Sequence, residues 1–116
     1  GLIVNGEPYV RSPQQVKGDN ITFYCNIKEG AELSLLESTD IVADTKAALK
    51  QKIKPKAKPA GVINFHCILR TLELEQKKQT EAYGKVFEKV PTIGFSTYGE
   101  QYLGHINQTS TILVIK

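Results

Sequence analysis

The chain has 116 residues, which is enough for one domain with a hydrophobic core and too few for two. Its hydrophobic fraction of 41% and charged fraction of 23% are ordinary for a globular protein, and a net charge of +3 is too small to indicate a dedicated nucleic-acid-binding domain. The sequence shows no apolar run near the roughly 20 residues of a membrane helix, no signal peptide and no structural zinc motif.

The first forty residues predict two β-hairpins. Asn5-Gly6 lies between β-prone runs, and both residues tolerate the positive φ angles that a type I′ turn requires. Residues 11–20 read as a loop. Strands at residues 20–27 and 31–38 make the second predicted hairpin, because Gly30 supplies a permissive turn residue between them.

A helix is predicted over residues 38–54. The side chains of residues 38–40 each offer an N-cap oxygen, and an apolar stripe recurs along the segment at helical spacing. Pro55 and Pro59 end the helix, because proline cannot continue one.

The second half of the chain predicts three strands and one long helix. Residues 61–69 are almost continuously apolar, which predicts an internal strand covered on both faces. The helix is predicted over residues 72–90, before Pro91, and strands follow at residues 92–99 and 109–116. We therefore predict an α+β fold with one mainly antiparallel sheet of about five to seven strands and two helices packed on it. Since the sequence contains no methionine, we expect a single domain of residues 1–116, excised from a longer chain.

The two cysteines offer little for catalysis. Cys25 and Cys67 lie in apolar runs, as small buried thiols of a reducing compartment do, although the sequence leaves a disulfide between them open. His66 and Cys67 are neighbours on one predicted strand, so their side chains point to opposite faces and form no nucleophilic couple. A catalytic set of Cys67, His105 and Glu100 would depend on the fold alone, and we predict no enzymatic activity.

The stretch from residue 94 to residue 105 resembles a phosphate-binding loop only at first sight. Gly94 and Gly99 have the spacing of that loop, but Glu100 and Gln101 stand where the motif requires Lys and Ser or Thr. A carboxylate at that place repels phosphate, and no helix pattern follows to provide a favourable dipole. A nucleotide site is therefore excluded here.

The positive charges have two interpretations. Six lysines alternate along the end of the first helix and the segment after it: Lys46, Lys50, Lys52, Lys54, Lys56 and Lys58. No aromatic residue stands among them to stack on bases, so we interpret them as a solvated surface, with binding of an acidic partner as the alternative. Arg70, between a strand and a helix, pairs either with a ligand carboxylate or with nearby Glu73 or Glu75.

Several motifs follow one another in a fixed order between Gly61 and Lys116. They are C-x-x-R at residues 67–70, G-F at 94–95, G-E at 99–100 and a Thr-rich apolar strand at 109–115. In this order they resemble the C-terminal domain of the FIST proteins, the "F-box and intracellular signal transduction" family, and residues 1–60 fit more loosely. One position differs. The family often has a histidine immediately before the N-x-T of the last strand, whereas here Ile106 stands there and His105 comes one residue earlier.

The resemblance implies a cytoplasmic sensory module that binds a small ligand, of the amino-acid class, for a signal-transduction protein. It implies no cofactor and brings no catalytic residues with it. The partners that it implies are the N-terminal half of the same protein and an output signalling domain. We predict neither nucleic-acid nor membrane partners.

The same resemblance suggests a ligand site. Arg70 would hold the carboxylate of an amino acid and Glu100 its ammonium group. Around them, Thr97, Tyr98 and His105 would supply neutral hydrogen bonds, and Gly99 would form the turn. The alternative is a structural module that transmits a signal without binding a ligand, in which the apolar last strand pairs edge to edge in a homodimer.

Overall fold

The computed structural model describes residues 1–54 and 58–116, so Pro55 and Lys56 lie outside the described residues. In the described part the chain is an α+β protein with seven strands and three helices. The strands are β1 (Leu2–Val4), β2 (Glu7–Tyr9), β3 (Pro13–Lys17), β4 (Asn20–Phe23), β5 (Gly61–Cys67), β6 (Thr92–Thr97) and β7 (Ser110–Ile115). The helices are α1 (Ile41–Lys52), α2 (Ile68–Gln76) and α3 (Thr80–Lys85).

The first predicted hairpin is confirmed and the second is wrong. β1 pairs antiparallel with β2, and Asn5 and Gly6 both have positive φ, as a type I′ turn requires. The second hairpin instead joins β3 to β4 through a turn at Gly18, inside the segment predicted to be a loop, while residues 31–38 form no strand. All five residues of β3 are exposed, so the strand has no buried face and no apolar alternation that would reveal it.

Helix α1 forms as predicted. The Asp40 carboxylate is its N-cap and accepts a hydrogen bond of 2.7 Å from the backbone N–H of Ala43. Ile41 and Leu49 are buried on one side of the helix, with Thr45 between them. Ile41 and Leu49 of the predicted apolar stripe therefore pack on the rest of the domain, whereas Ala48 of the stripe and the lysines of the helix are exposed.

The predicted single antiparallel sheet is wrong. The seven strands of the described part form three small sheets: the β1–β2 hairpin, the β3–β4 hairpin and a three-stranded sheet in the order β6-β5-β7. β5 pairs antiparallel with β7 but parallel with β6. The reason is the connection between β5 and β6, which passes through α2 and α3 and returns the chain to the same end of the sheet, as a βαβ crossover does.

The predicted long helix is two helices. Helix α2 starts directly after Cys67, earlier than predicted, and the chain reverses at Lys78, which has a positive φ of 55°. That conformation cannot continue a right-handed helix, so α3 begins separately at Thr80. Two short helices thus cover the sheet instead of one.

The three-stranded sheet has one covered face and one open face. Val62, Asn64 and His66 of β5 are buried beneath the helices. Ile63 and Phe65 point to the other face, where most neighbouring apolar side chains of β6 and β7 are exposed. The prediction that β5 is internal is therefore confirmed, but it is not covered on both faces.

The close approach of β6 to β5 can be tested by substitution of Gly94. A Cβ at this position would overlap the backbone carbonyl oxygen of Asn64 and lie 2.8 Å from its carbonyl carbon. Because both groups are backbone, Gly94→Ala should separate β6 from β5 and lower the free energy of unfolding by at least about 2 kcal/mol in urea denaturation. Gly84→Ala is the matched control, since nothing lies within 4 Å of a Cβ there and the helical position favours alanine by about 0.5–1 kcal/mol. Equal stabilities of the two variants would contradict this view of the β5–β6 pair.

Candidate functional site

The candidate site lies where the parallel strands β5 and β6 end. Ligands of sheets with parallel strands commonly bind in the crevice beyond their carboxyl ends. Here β5 passes directly into α2, and β6 passes into a loop of residues 98–109 that folds back and places Thr109 beside β5. The backbone N–H of Cys67 donates to the carbonyl of Thr109 at 2.9 Å, which closes the loop over this end of the sheet.

Glu100 is a buried carboxylate at this position. Its exposed fraction is only 3%, and its Oε1 accepts a hydrogen bond from the hydroxyl of Thr97. Its Oε2 is buried without a hydrogen-bond partner, and the described residues place no cation in a salt bridge with it. Burying a carboxylate without a salt bridge and with one oxygen unpaired lowers the stability of the fold, because the lost hydration is only partly replaced.

Cys67 lies beside Glu100. Burial raises the pKa of the Cys67 thiol, and the negative charge of the nearby Glu100 carboxylate raises it further. The group is therefore held as a neutral thiol, whereas nucleophilic cysteines are thiolates in electropositive surroundings. Both cysteines of the chain are free thiols. The fold thus brings Glu100 close to Cys67, and the negative charge of Glu100 makes the Cys67 thiol less nucleophilic, because it disfavours the thiolate.

His66 lies on the other side of β5, in a polar network beneath the helices. Its Nδ1 is 3.1 Å from the hydroxyl of Tyr83, which also accepts from the Asn64 amide at 3.2 Å. Ser110 donates to the Asn64 side-chain carbonyl at 2.5 Å, so the network links the central strand to β7 and α3. The His66 Nε2 is buried without a partner among the described residues.

The charge of His66 is controlled by its surroundings. The pKa of His66 is lowered to about 4, mainly by burial and also by the positive charge of Arg70, while the negative charge of Glu100 opposes both effects. The pKa of this imidazole therefore responds to charges of opposite sign at Arg70 and Glu100.

Arg70 reaches away from the carboxylates of its own helix. Its Nη2 donates to the Thr45 hydroxyl of α1 at 2.8 Å, and Thr45 in turn donates to the carbonyl of Ile41 at 2.7 Å. Its Nε is buried without a hydrogen-bond partner in the described part of the chain. Glu73 pairs instead with Lys77 at 2.6 Å. The predicted surface pairing of Arg70 with Glu73 or Glu75 is therefore not formed.

The N-terminal segment forms hydrogen bonds with the second half of the loop after β6. Arg11 donates from Nη1 to the carbonyl of His105 at 2.7 Å, and the side chain of buried Asn107 accepts from the backbone N–H of Ser12 at 3.0 Å. The Nε of Arg11 and the Nε2 of His105 are also buried without partners. His105 is thus half-buried between the loop and the N-terminal segment, and the structure gives no direct contact between it and Arg70.

The predicted ligand residues separate into two groups. Thr97 and Glu100 are in contact, and both Glu100 and Arg70 influence the His66 ring. Tyr98 is 85% exposed and Gly99 is exposed beside it, so both point away from this cluster. Gly99 was predicted to form the turn, but its φ is not positive and a Cβ there would meet nothing within 4 Å, so the backbone at this position does not require glycine.

Sequence reasoning missed several partners of these residues. It interpreted His66 as an ordinary strand histidine and assigned no role to Arg11, Tyr83 or Asn107. The pattern in which Asn64 and His66 alternate with apolar residues was the available signal, because it places two polar groups on one buried face. No comparable signal marks Arg11, whose contact is 94 residues away in sequence.

The order of elements around this cluster agrees with a known family. Residues 1–103 match the FIST C domain. The chain belongs to the FIST C domain family. This domain is associated with signal transduction, and the match includes the N-terminal hairpins that resembled the family only loosely by motif. No significant match was found among curated proteins or among solved structures.

The described residues show neither a cluster that could hold a metal ion nor a helix that could cross a membrane. No three His, Cys, Asp or Glu side chains in residues 1–54 and 58–116 are arranged to hold a metal ion. Within the same ranges, none of the helices of this FIST C domain has the length and apolar character needed to cross a membrane. Among the six lysines, Lys56 lies outside the described residues, and the other five are exposed.

The low pKa of His66 predicts an acid-sensitive fold. An unfolded histidine binds a proton near pH 6.5, whereas folded His66 does so only near pH 4, so the unfolded state binds more protons between these values. The free energy of unfolding should therefore fall as the pH falls from 7 to 4, by at most about 3 kcal/mol, and by less if water reaches the ring. Urea denaturation at several pH values should show this slope reduced in His66→Gln and kept in the control His105→Gln. A wild-type slope in His66→Gln would contradict the assignment.

Proposed function

We propose that this FIST C domain is a sensory module that binds a small zwitterionic ligand of the amino-acid class between Arg70 and Glu100. The observation that carries the proposal is that three polar atoms of residues at or next to the ends of β5 and β6 are buried without a hydrogen-bond partner: Arg70 Nε, His66 Nε2 and Glu100 Oε2. Nearly all buried polar groups of folded proteins have a hydrogen-bond partner, so these exceptions need a reason. A ligand that carries both charges would satisfy the two poles together.

The chemistry of the cluster selects a zwitterion over a simple anion or cation. Glu100 Oε2 would accept from an ammonium group, and the Arg70 guanidinium would donate to a carboxylate. His66 is neutral near pH 7, so it adds hydrogen-bonding capacity without a third charge. An anion alone would leave Glu100 unpaired, and a cation alone would leave Arg70 unpaired.

Access to the cluster requires the loop after β6 to move. Glu100 is buried, while Tyr98 and Leu103 on the same loop are 85% and 93% exposed. These side chains bury little apolar surface, so lifting the part of the loop at residues 98–103 costs little hydrophobic energy, whereas Ile106, further along the loop, is buried. In the proposed mechanism the ligand enters when the loop lifts, and the change in loop position is the signal that passes to the partners of the domain.

The proposal keeps the partners and context implied by the family. They are an N-terminal half and an output domain of the same protein, in the cytoplasm, and two free thiols are consistent with a reducing compartment. We propose no enzymatic activity, since the Cys67 thiol is held neutral beside a carboxylate. The domain would act by binding alone.

Glu100→Gln separates ligand binding from stability. The variant keeps the shape of the side chain but removes the unpaired buried charge, so its free energy of unfolding should equal or exceed that of the wild type. Amino-acid binding, screened by thermal shift and measured by calorimetry with the twenty common amino acids, should be lost. Arg70→Gln should lose it as well.

Glu88→Gln is the matched control, because Glu88 is exposed and makes no ion pair among the described residues. It should bind as the wild type does. Wild-type affinity in both Glu100→Gln and Arg70→Gln would show that the site is wrong, and a stability loss of more than about 2 kcal/mol in Glu100→Gln would show that its charge is paired in the fold.

A second candidate function, as a structural module, is favoured by the open face of the three-stranded sheet. Ile93 and Phe95 of β6 are 72% and 65% exposed, and Leu113 and Ile115 of β7 continue the same surface. Together these residues expose an apolar patch on the order of 500 Å², at the upper end of what monomers show. The described strand residues of this face are uncharged, and Glu100 at its end is buried, so a second copy of this chain meets no exposed like charge on the strands and would pack sheet on sheet about a two-fold axis.

Sedimentation velocity tests this second candidate. The wild-type chain should dimerise with an affinity that weakens at least tenfold in Phe95→Ser, since a large exposed aromatic side chain at the centre of an interface is typically worth 2 kcal/mol or more. Tyr98→Ser, an equally exposed position outside the sheet face, is the control and should keep the wild-type affinity. A monomer at all concentrations would exclude self-association through this face.

A further inference from the structure

A second cavity lies on the covered side of the sheet, away from the proposed amino-acid site. It is a partly open cavity with a volume of about 250 Å³, bordered by α1, β5 and the segment after α3. Leu49 of α1, Val62 of β5 and the pair Val86 and Phe87 form its apolar wall. Val62 is near the start of β5, whereas His66 is near its end, so the cavity and the charged cluster are separate places.

The size of the cavity suits a small organic molecule. An engineered apolar cavity of about 150 Å³ remains dry and binds benzene. A cavity of about 250 Å³ therefore has room for an aromatic ring with a short chain. Phe87 offers the face or edge of an aromatic ring to such a ligand.

Two positive charges stand at the cavity. Lys46 and Lys50 both line it, are one helical turn apart on α1 and are exposed. Neither forms an ion pair with any residue in the described ranges. A lysine in the last turn of a helix is explained by the helix dipole, which accounts for Lys50 but not for Lys46 in the middle of α1.

We propose that this cavity binds a small aromatic monocarboxylate, with its ring against the apolar wall and its carboxylate between Lys46 and Lys50. The second half of a helix is an unfavourable place for an anion, since the dipole is negative there. Recognition of the carboxylate must therefore come from the two lysines. This site is independent of the amino-acid site, because it takes a ligand without an ammonium group and uses none of the same residues.

The probe pair is 4-phenylbutanoate and its uncharged amide, titrated into the ¹⁵N-labelled chain and followed by backbone amide NMR shifts. The largest shifts should fall on α1 and on residues 86–90, and the acid should bind three- to tenfold more tightly than the amide, as two exposed charges allow. The double variant Lys46→Gln/Lys50→Gln should bind both probes equally. The control Lys52→Gln, on the same helix but away from the cavity, should keep the preference for the acid.

Two further variants complete the test, one that fills the cavity and one at the proposed amino-acid site. Val86→Phe should abolish binding of both probes if the variant folds, and the lysine variants decide the question if it does not. Glu100→Gln should leave 4-phenylbutanoate binding unchanged, so failure here and failure of the proposed amino-acid site can be distinguished. Equal affinity for acid and amide in the wild type, shifts centred on residues 97–100, or no binding would each overturn the proposal.

Discussion

The parallel pairing of β5 with β6 is the constraint on which the rest of the domain depends. It forces the connecting helices α2 and α3 onto one face of the sheet, because a crossover must return the chain to the starting edge. It also brings the ends of both strands to one place, where Glu100 and Cys67 meet. The other face of the sheet receives no helix in the described part of the chain and stays open. The pairing itself depends on Gly94, whose missing side chain admits the Asn64 carbonyl.

In the proposed function, the buried charges at the end of these strands lower the stability of the fold and are available to a ligand. A fold optimised for stability alone would pair Glu100 with a nearby cation or replace it with an apolar residue. Here the Arg70 guanidinium is held by Thr45, and the Glu100 carboxylate is held by Thr97, each through a neutral hydroxyl. Both charges are therefore fixed in position without neutralising each other. This arrangement is what a site for a molecule with two opposite charges needs.

Local sequence signals predicted those elements whose causes are local. Asn5-Gly6 specified the first hairpin, the oxygen of Asp40 started α1, and the apolar run from Gly61 specified β5. The errors arose where the decisive cause was distant or hidden. Strand β3 has no buried face, so its sequence shows no alternation of apolar and polar residues. The helix break at Lys78 is a reversal of the backbone within a segment of strong helix formers, so the sequence gives no sign of it.

The sequence by itself determined membership of the FIST C domain family, the α+β class and the presence of Arg70 and Glu100 as candidate charges. The family resemblance also suggested Thr97 as a neighbour of Glu100, which is three positions further along the chain. Only the tertiary structure decided that Tyr98 points outward, that Arg70 binds Thr45 and that buried His66 stays neutral near pH 7. The reason is physical: burial and the distance between charges depend on how the helices and strands pack, and packing is not a property of any single segment.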